Sequence, residues 1–191
     1  MIITSYNSFM ILYDQVTSLK GCYLVSSQSV QDSEFKRSVI WTWRASGGLV
    51  IGCKITELIS HAHVIMQDEE MKPYILHDGG PDNVKFGHMI HTQDKIWNSS
   101  IKVTDSVYIT PLEDTVDEFI QGSAPKKSFS VIGCKKWSYA QLEKEIVRGY
   151  WIPIQAPDSL IFDVAVVQRW NEGFRYAEIR VETLSATVGR S

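Results

Sequence analysis

The stretch from Gly21 to Val50, GCYLVSSQSVQDSEFKRSVIWTWRASGGLV, limits the fold more than any other part of the chain. Leu19 to Ser27 reads as a strand, with Cys22, Leu24 and Ser26 on one face and Tyr23 and Val25 on the other. Ser38 to Trp43 is β-branched and aromatic almost throughout, which suits a strand buried on both faces. The connection from Gln28 to Lys36 carries Asp32, Ser33 and Glu34, all turn formers. Gly47-Gly48 permits a tight turn into Leu49 to Cys53, so the second and third runs pair as a hairpin.

The remaining segments supply further layers. Ile55, Leu58, Ile59, Ala62, Ile65 and Met66 recur at helical spacing and predict an amphipathic helix. Strands are expected at Pro73–His77, Lys85–His91, Ile101–Val103, Val107–Ile109, Phe129–Cys134 and Trp151–Gln155. Thr110-Pro111-Leu112-Glu113 has the form of a capped helix start, with Leu112, Val116, Phe119 and Ile120 as its buried stripe. Ser138-Tyr139-Ala140-Gln141 is a second capping box, with Tyr139, Leu142 and Ile146 inward and Gly149 at the end. Val164, Val167, Trp170 and Phe174 predict a last helix, and residues 176–191 read as a poorly packed tail. Strands often follow one another without a helix between them, which argues against a regular parallel array. The expected class is α+β: a mixed, mostly antiparallel, curled or barrel-like sheet flanked by about four helices. Residues 1–18 read as a loosely attached extension and 19–191 as a single domain.

Charge and composition narrow the function. The 191 residues carry 19 basic and 22 acidic side chains, a net charge of -3, where a protein living on phosphate contacts would be basic. The cysteines, Cys22, Cys53 and Cys134, are widely spaced inside apolar runs and behave as small core hydrophobes rather than a redox pair. No apolar run approaches the roughly 18 residues of a membrane span, and the N-terminal segment lacks the basic start of a signal peptide. These features point to the cytoplasm.

Leu19 to Ile40 resembles the opening of the bacterial YqgE/AlgH family, a strand followed by Asp-x-x-Phe-x-Arg-Ser-Val-Ile and a Gly-Leu-Val turn. Those positions are Asp32, Phe35, Arg37, Ser38, Val39 and Ile40, then Gly48, Leu49 and Val50. Gly79-Gly80-Pro81 with Phe86 to His91, Val103 to Thr110, and Gly133 to Trp137 with Gln141-Leu142-Glu143 are similar to the family's later segments. The resemblance implies a compact α+β fold with a barrel-like sheet. It implies no settled activity, although some members carry the label of transcriptional regulator. The chain departs from the pattern at Gly52-Cys53-Lys54, where Asn-Lys/Arg-Pro is usual, at Lys135-Lys136 and at the closing Gly189-Arg190-Ser191.

No assembled catalytic signature is visible. His61 and His63 fall on different sides of the expected helix, and His88 and His91 on opposite faces of a strand. There is no CxxC, HExxH or GxSxG motif, so no metal, cofactor or hydrolytic nucleophile is expected. Two segments are candidate surfaces for a protein partner or a small anionic ligand. Asp32, Phe35 and Arg37 form one: as a turn, Asp32 caps the backbone; as a site, the Arg37 fork suits phosphate or carboxylate. Gly79, Gly80 and Pro81 form the other, either a sharp turn or a source of backbone amides, less the one that proline lacks. Lys126-Lys127 and Lys135-Lys136, interleaved with Phe129 and Trp137, are the single nucleic-acid-like feature, and direct binding to DNA is not expected from it. The reading is a non-catalytic regulatory or interaction protein, with hydrolysis or binding of a small anion near Arg37 and Gly79–Pro81 as the alternative.

Overall fold

Apolar runs separated by a turn pair with each other, and the long run at 128–138 ties the two halves together. The computed structural model describes residues 18–30, 32–59 and 76–177. Its strands are β1 (Tyr23–Ser26), β2 (Val39–Ser46), β3 (Leu49–Lys54), β4 (Leu76–Asp78), β5 (Asp82–Thr92), β6 (Ile101–Lys102), β7 (Val107–Pro111), β8 (Ser128–Ser138) and β9 (Trp151–Ile154). Helices among the described residues are α1 (Val116–Ile120), α2 (Tyr139–Val147), α3 (Ser159–Phe162) and α4 over 169–177. One curled, half-barrel sheet runs in the order β6-β7-β5-β8-β3-β2-β1-β9. Every neighbour on that path is antiparallel, and β4 adds parallel to β8. The architecture is the expected α+β class. None of the described helices is long and apolar enough to cross a membrane.

Strand β8 is the spine because it serves both halves. Its first part pairs with β5 on one edge and β4 on the other, and its last part pairs with β3. Both faces of the sheet centre are covered, as the composition of β2 requires. On one face Tyr23, Trp41, Ile51, Cys53 and Cys134 pack with Leu160 and Ile161 of α3 and Ala177 of α4. On the other face Leu24, Ile40, Val50 and Trp137 pack with Leu142 and Ile146 of α2. Glu145 of α2 accepts from Trp137 Nε1 at 2.9 Å and from Trp151 Nε1 at 2.8 Å, which pins the helix to two strands. The Gly47-Gly48 turn has φ of 61° and 76°, the left-handed pair that a two-residue hairpin requires. All three cysteines are buried, and burial pushes the Cys53 thiol up.

A buried cation sits under the first core. Arg169, at the start of α4, is 5% exposed. Its Nη1 donates to Ile55 O at 2.7 Å and to His77 Nε2 at 3.2 Å, and its Nε donates to Val164 O at 3.1 Å. The guanidinium lies 5.2 Å from the Phe129 ring centroid, and the His77 ring lies 4.3 Å from the same ring. His77 is 1% exposed. Burial, then the guanidinium, holds its pKa down at about 4.

Several local expectations are corrected. Residues 55–59 are not helical: Leu58 makes a β-bridge to His77, and the rest of the expected helix, with His61 and His63, lies outside the described residues. Thr110 does not cap a helix. It is the buried penultimate residue of β7, and its hydroxyl sits 2.8 Å from His91 Nε2 and 2.7 Å from Ser100 Oγ. With that hydroxyl engaged, the chain makes a 3-10 turn at Leu112–Asp114 before α1. Ser138 does cap α2, accepting from Gln141 N at 3.2 Å, but the Gln141 side chain turns to Glu145 and Tyr139 is 38% exposed. Tyr176 and Ala177, expected in the tail, extend α4 onto the first core; residues 1–17 and 178–191 lie outside the described residues.

Candidate functional site

The Asp32 turn folds as its polar residues dictate. Asp32 accepts from Glu34 N at 3.1 Å and opens a 3-10 turn at Ser33–Phe35. Phe35 is 3% exposed and meets Trp151 edge-on at 5.8 Å. Arg37 has a φ of 53°, an uncommon conformation for a side chain of this size. Its guanidinium lies 4.7 Å from the Trp170 ring, and its Nη2 donates to Asn171 Oδ1 at 3.2 Å. Arg37 therefore works against α4.

The glycine loop also has a structural occupation. Gly79 N donates to Ile132 O at 2.7 Å, Gly80 N donates to Asp78 Oδ1 at 3.0 Å, and Pro81 has no N–H. The amides an anion would need are already engaged. No hydrogen bond or ion pair joins Arg37 to this loop among the described residues. Phe35 comes closer, because Lys54 spans the gap. Lys54 is fully buried, with Nζ 2.7 Å from Glu57, 2.9 Å from Asp78 and 5.8 Å from the Phe35 ring centroid. Burial pulls the Lys54 ammonium down, but the two carboxylates outweigh it and hold the group above its ordinary value. Lys54, one of the family departures, is thus the tie between β3 and the glycine loop. Both carboxylates reach solvent, so Lys54→Met, which keeps the buried stem, is expected to cost about 2 kcal/mol in urea unfolding, below the range for stranding a fully buried charge. A change within 0.5 kcal/mol would show that the pair holds nothing.

The loop does launch an open groove on the described surface. Asp82 pairs with Cys134 and Gly87 with Ile132, so β5 carries three residues more than β8 across that interval. Residues 83–86 splay away from β8, and Val84 and Phe86 are 59% and 62% exposed. On the other side β7 ends at Pro111, where the 3-10 turn leaves the sheet. Between the splayed segment, the end of the β2–β3 hairpin and α1 lies a groove of about 800 Å³. Trp43, Ile51, Ile132 and Cys134 line it, with Leu112 and Val116 at the α1 side. Arg44, Lys85 and Lys136 bring three cations to it and Glu113 one anion, a local excess opposite in sign to the whole chain. His88 lies 5.5 Å from Trp43, centroid to centroid, and its Nδ1 is buried without a hydrogen-bond partner among the described residues. Burial lowers the pKa of that ring, which favours a neutral imidazole.

The groove was not legible as a site because its walls come from β2, β3, β5, β8 and the 3-10 turn. The one local signal was Asn83-Val84-Lys85-Phe86, an alternating stretch with no place in the core. The four lysines singled out from the sequence do not form one patch. Lys127 pairs with Asp163 at 2.6 Å, Lys135 lies over Phe35 and Trp137 on one face, and Lys136 reaches the groove on the other. A second constellation was also missed: His91 Nδ1 faces Thr92 O at 2.9 Å and its Nε2 faces Thr110, which in turn meets Ser100. Trp97 N donates to Ser100 Oγ at 2.8 Å, so this polar chain fastens the 93–100 loop to β7.

Comparisons with known proteins agree on the fold. The model of the AlgH-like family matches residues 23–182. A UPF0301 protein of Histophilus somni is 31% identical over 163 residues, covering 80% of this chain and 87% of that protein. A UPF0301 protein of Proteus mirabilis is 28% identical over 188 residues, covering 91% and 100%. The solution structure of the AlgH protein from Pseudomonas aeruginosa superposes with a TM-score of 0.72 at 20% identity, covering 90% of this chain and 95% of that one. A crystal structure of a protein from Corynebacterium diphtheriae gives 0.67 at 22% identity, covering 81% and 85%.

Proposed function

The chain belongs to the AlgH-like family, and on that premise we propose that it is a non-catalytic interaction protein that works through the groove beside residues 83–86. The observation that carries this reading is the conjunction of exposed Phe86, an apolar floor and three rim cations in one depression. Such a site selects a partner that presents an apolar group next to negative charge: the floor supplies affinity and the rim supplies selectivity and approach rate. The loop at Gly79–Pro81 sets the departure of β5 that opens the groove, while the turn at Asp32–Arg37 holds α4. On this reading the place of action is the cytoplasm, and any effect on transcription passes through a protein contact rather than through DNA.

Titration of the 15N-labelled chain with decanoate, the simplest apolar anion, tests it. Amide and indole signals of Trp43, Phe86 and Leu112 are expected to move with a dissociation constant below a few millimolar. Lys85→Glu combined with Lys136→Glu is expected to weaken binding at least tenfold, while Lys127→Glu leaves it unchanged. Silence of those signals at saturating decanoate, or equal binding of decyltrimethylammonium, would count against the groove as the working surface.

A further inference from the structure

We infer that the groove's occupant is an extended acidic peptide segment of a partner protein, which adds as a strand along residues 83–86; this rests on the groove being the working surface. Three observations meet there. First, residues 83–86 are counted in β5 yet have no pairing partner on either edge among the described residues. Second, β7 does not continue the ladder beside them: the turn at Leu112–Asp114 packs against β5 at Gly87 without pairing with it. β7 pairs with β5 only from His88 opposite Pro111 onward, because Pro111 lacks an N–H and Leu112 turns away. An incoming strand would make the ladder hydrogen bonds that this turn leaves unmade, with Leu112 and Val116 beside it. Third, the charge is complementary to acid: Arg44, Lys85 and Lys136 against Glu113 alone.

The length fits. Asn83 has a φ of 56°, which leaves Val84–Phe86 as the extended run. Three extended residues span roughly 10 Å, enough to pair with three or four residues of an incoming segment. Main-chain hydrogen bonds would supply affinity that is indifferent to sequence, and alternate side chains would supply specificity, apolar toward Trp43 and Ile132 and acidic toward the rim. Native edges are ordinarily blunted by charge or by covering. This one carries Lys85 but leaves Val84 and Phe86 bare, which is the composition of an edge that receives a strand.

The test uses the full chain and a capped hexapeptide alternating glutamate and leucine, followed by amide NMR. Binding is expected with shifts at residues 83–86, and amide exchange there is expected to slow. Two further peptides carry N-methyl groups on the odd or on the even amides. A strand uses only one set, so one peptide is expected to lose at least tenfold in affinity and the other to retain it. An alternating lysine-leucine peptide is expected not to bind. If both N-methylated peptides bind like the parent, or if decanoate binds and the acidic peptide does not, the strand inference is overturned while the groove reading stands. If neither decanoate nor the acidic peptide moves the groove signals, both fall.

Discussion

Replacing Gly133 with alanine is expected to lower stability by about 4 kcal/mol, a fall in Tm of roughly 10 °C for a chain of this size. Gly133 has a φ of 75°, and a Cβ built there would lie 2.2 Å from Gly80 O and 3.3 Å from Asp82 O. The reverse contacts are also too short for a side chain: a Cβ on Gly79 would lie 2.3 Å from Gly133 O, and one on Gly80 would lie 2.8 Å from Cys134 O. Both partners are backbone, so neither can step aside by changing rotamer. The left-handed conformation alone costs an alanine about 1–2 kcal/mol. The rest must come from parting β8 from the glycine loop. Gly122 separates the two contributions, because its φ is 73° and nothing lies within 4 Å of its added Cβ. Gly122→Ala is therefore expected to cost only about 1 kcal/mol. Equal losses for the two variants in urea unfolding would show that backbone packing at Gly133 is unimportant. Because β5 departs from this contact, Gly133→Ala is also expected to disturb the groove signals of Trp43 and Phe86, and Gly122→Ala to leave them in place.

Acid is expected to destabilise the protein between pH 6.5 and 4 by way of His77. The folded ring titrates at about 4 and the unfolded one at about 6.5. Between those values the unfolded chain holds the additional proton, so stability rises with pH across the window and is lost as pH falls through it. The difference corresponds to about 3 kcal/mol at the acid end. The cause is structural: a protonated His77 would face the Arg169 guanidinium inside the first core, where Nη1 already donates to its Nε2 at 3.2 Å. His88 and His91 are lowered by burial as well and act in the same direction. His77→Gln, whose carbonyl oxygen can accept from Arg169, is expected to flatten the profile. Between pH 7 and 4.5 the wild type should lose about 2 to 3 kcal/mol more than the variant in urea titrations. Parallel profiles would remove His77 as the cause.

What the sequence determined by itself is the part of this fold that depends on neighbours along the chain. The alternation at Tyr23, Leu24 and Val25 assigned the two faces of β1, because period-two side chains must part. The run at Val39–Trp43 had to be buried on both faces, and Gly47-Gly48 had to turn, for reasons of composition and φ that no distant residue can alter. The family resemblance at Asp32, Phe35, Arg37 and the glycine segment rests on the same local requirements of turn, cap and close packing. What only the tertiary structure decided are the meetings between residues far apart in the chain. Thr110, a sound helix cap on local grounds, was drawn into β7 because a buried His91 needed a hydroxyl partner. Lys54 and Asp78 are separate local features until β3 and the glycine loop are brought together. The groove exists only because three surplus residues in β5 face a β8 that bends from one partner to another. The register between distant strands is set by the summed packing of both cores, a quantity that no window of neighbouring residues contains.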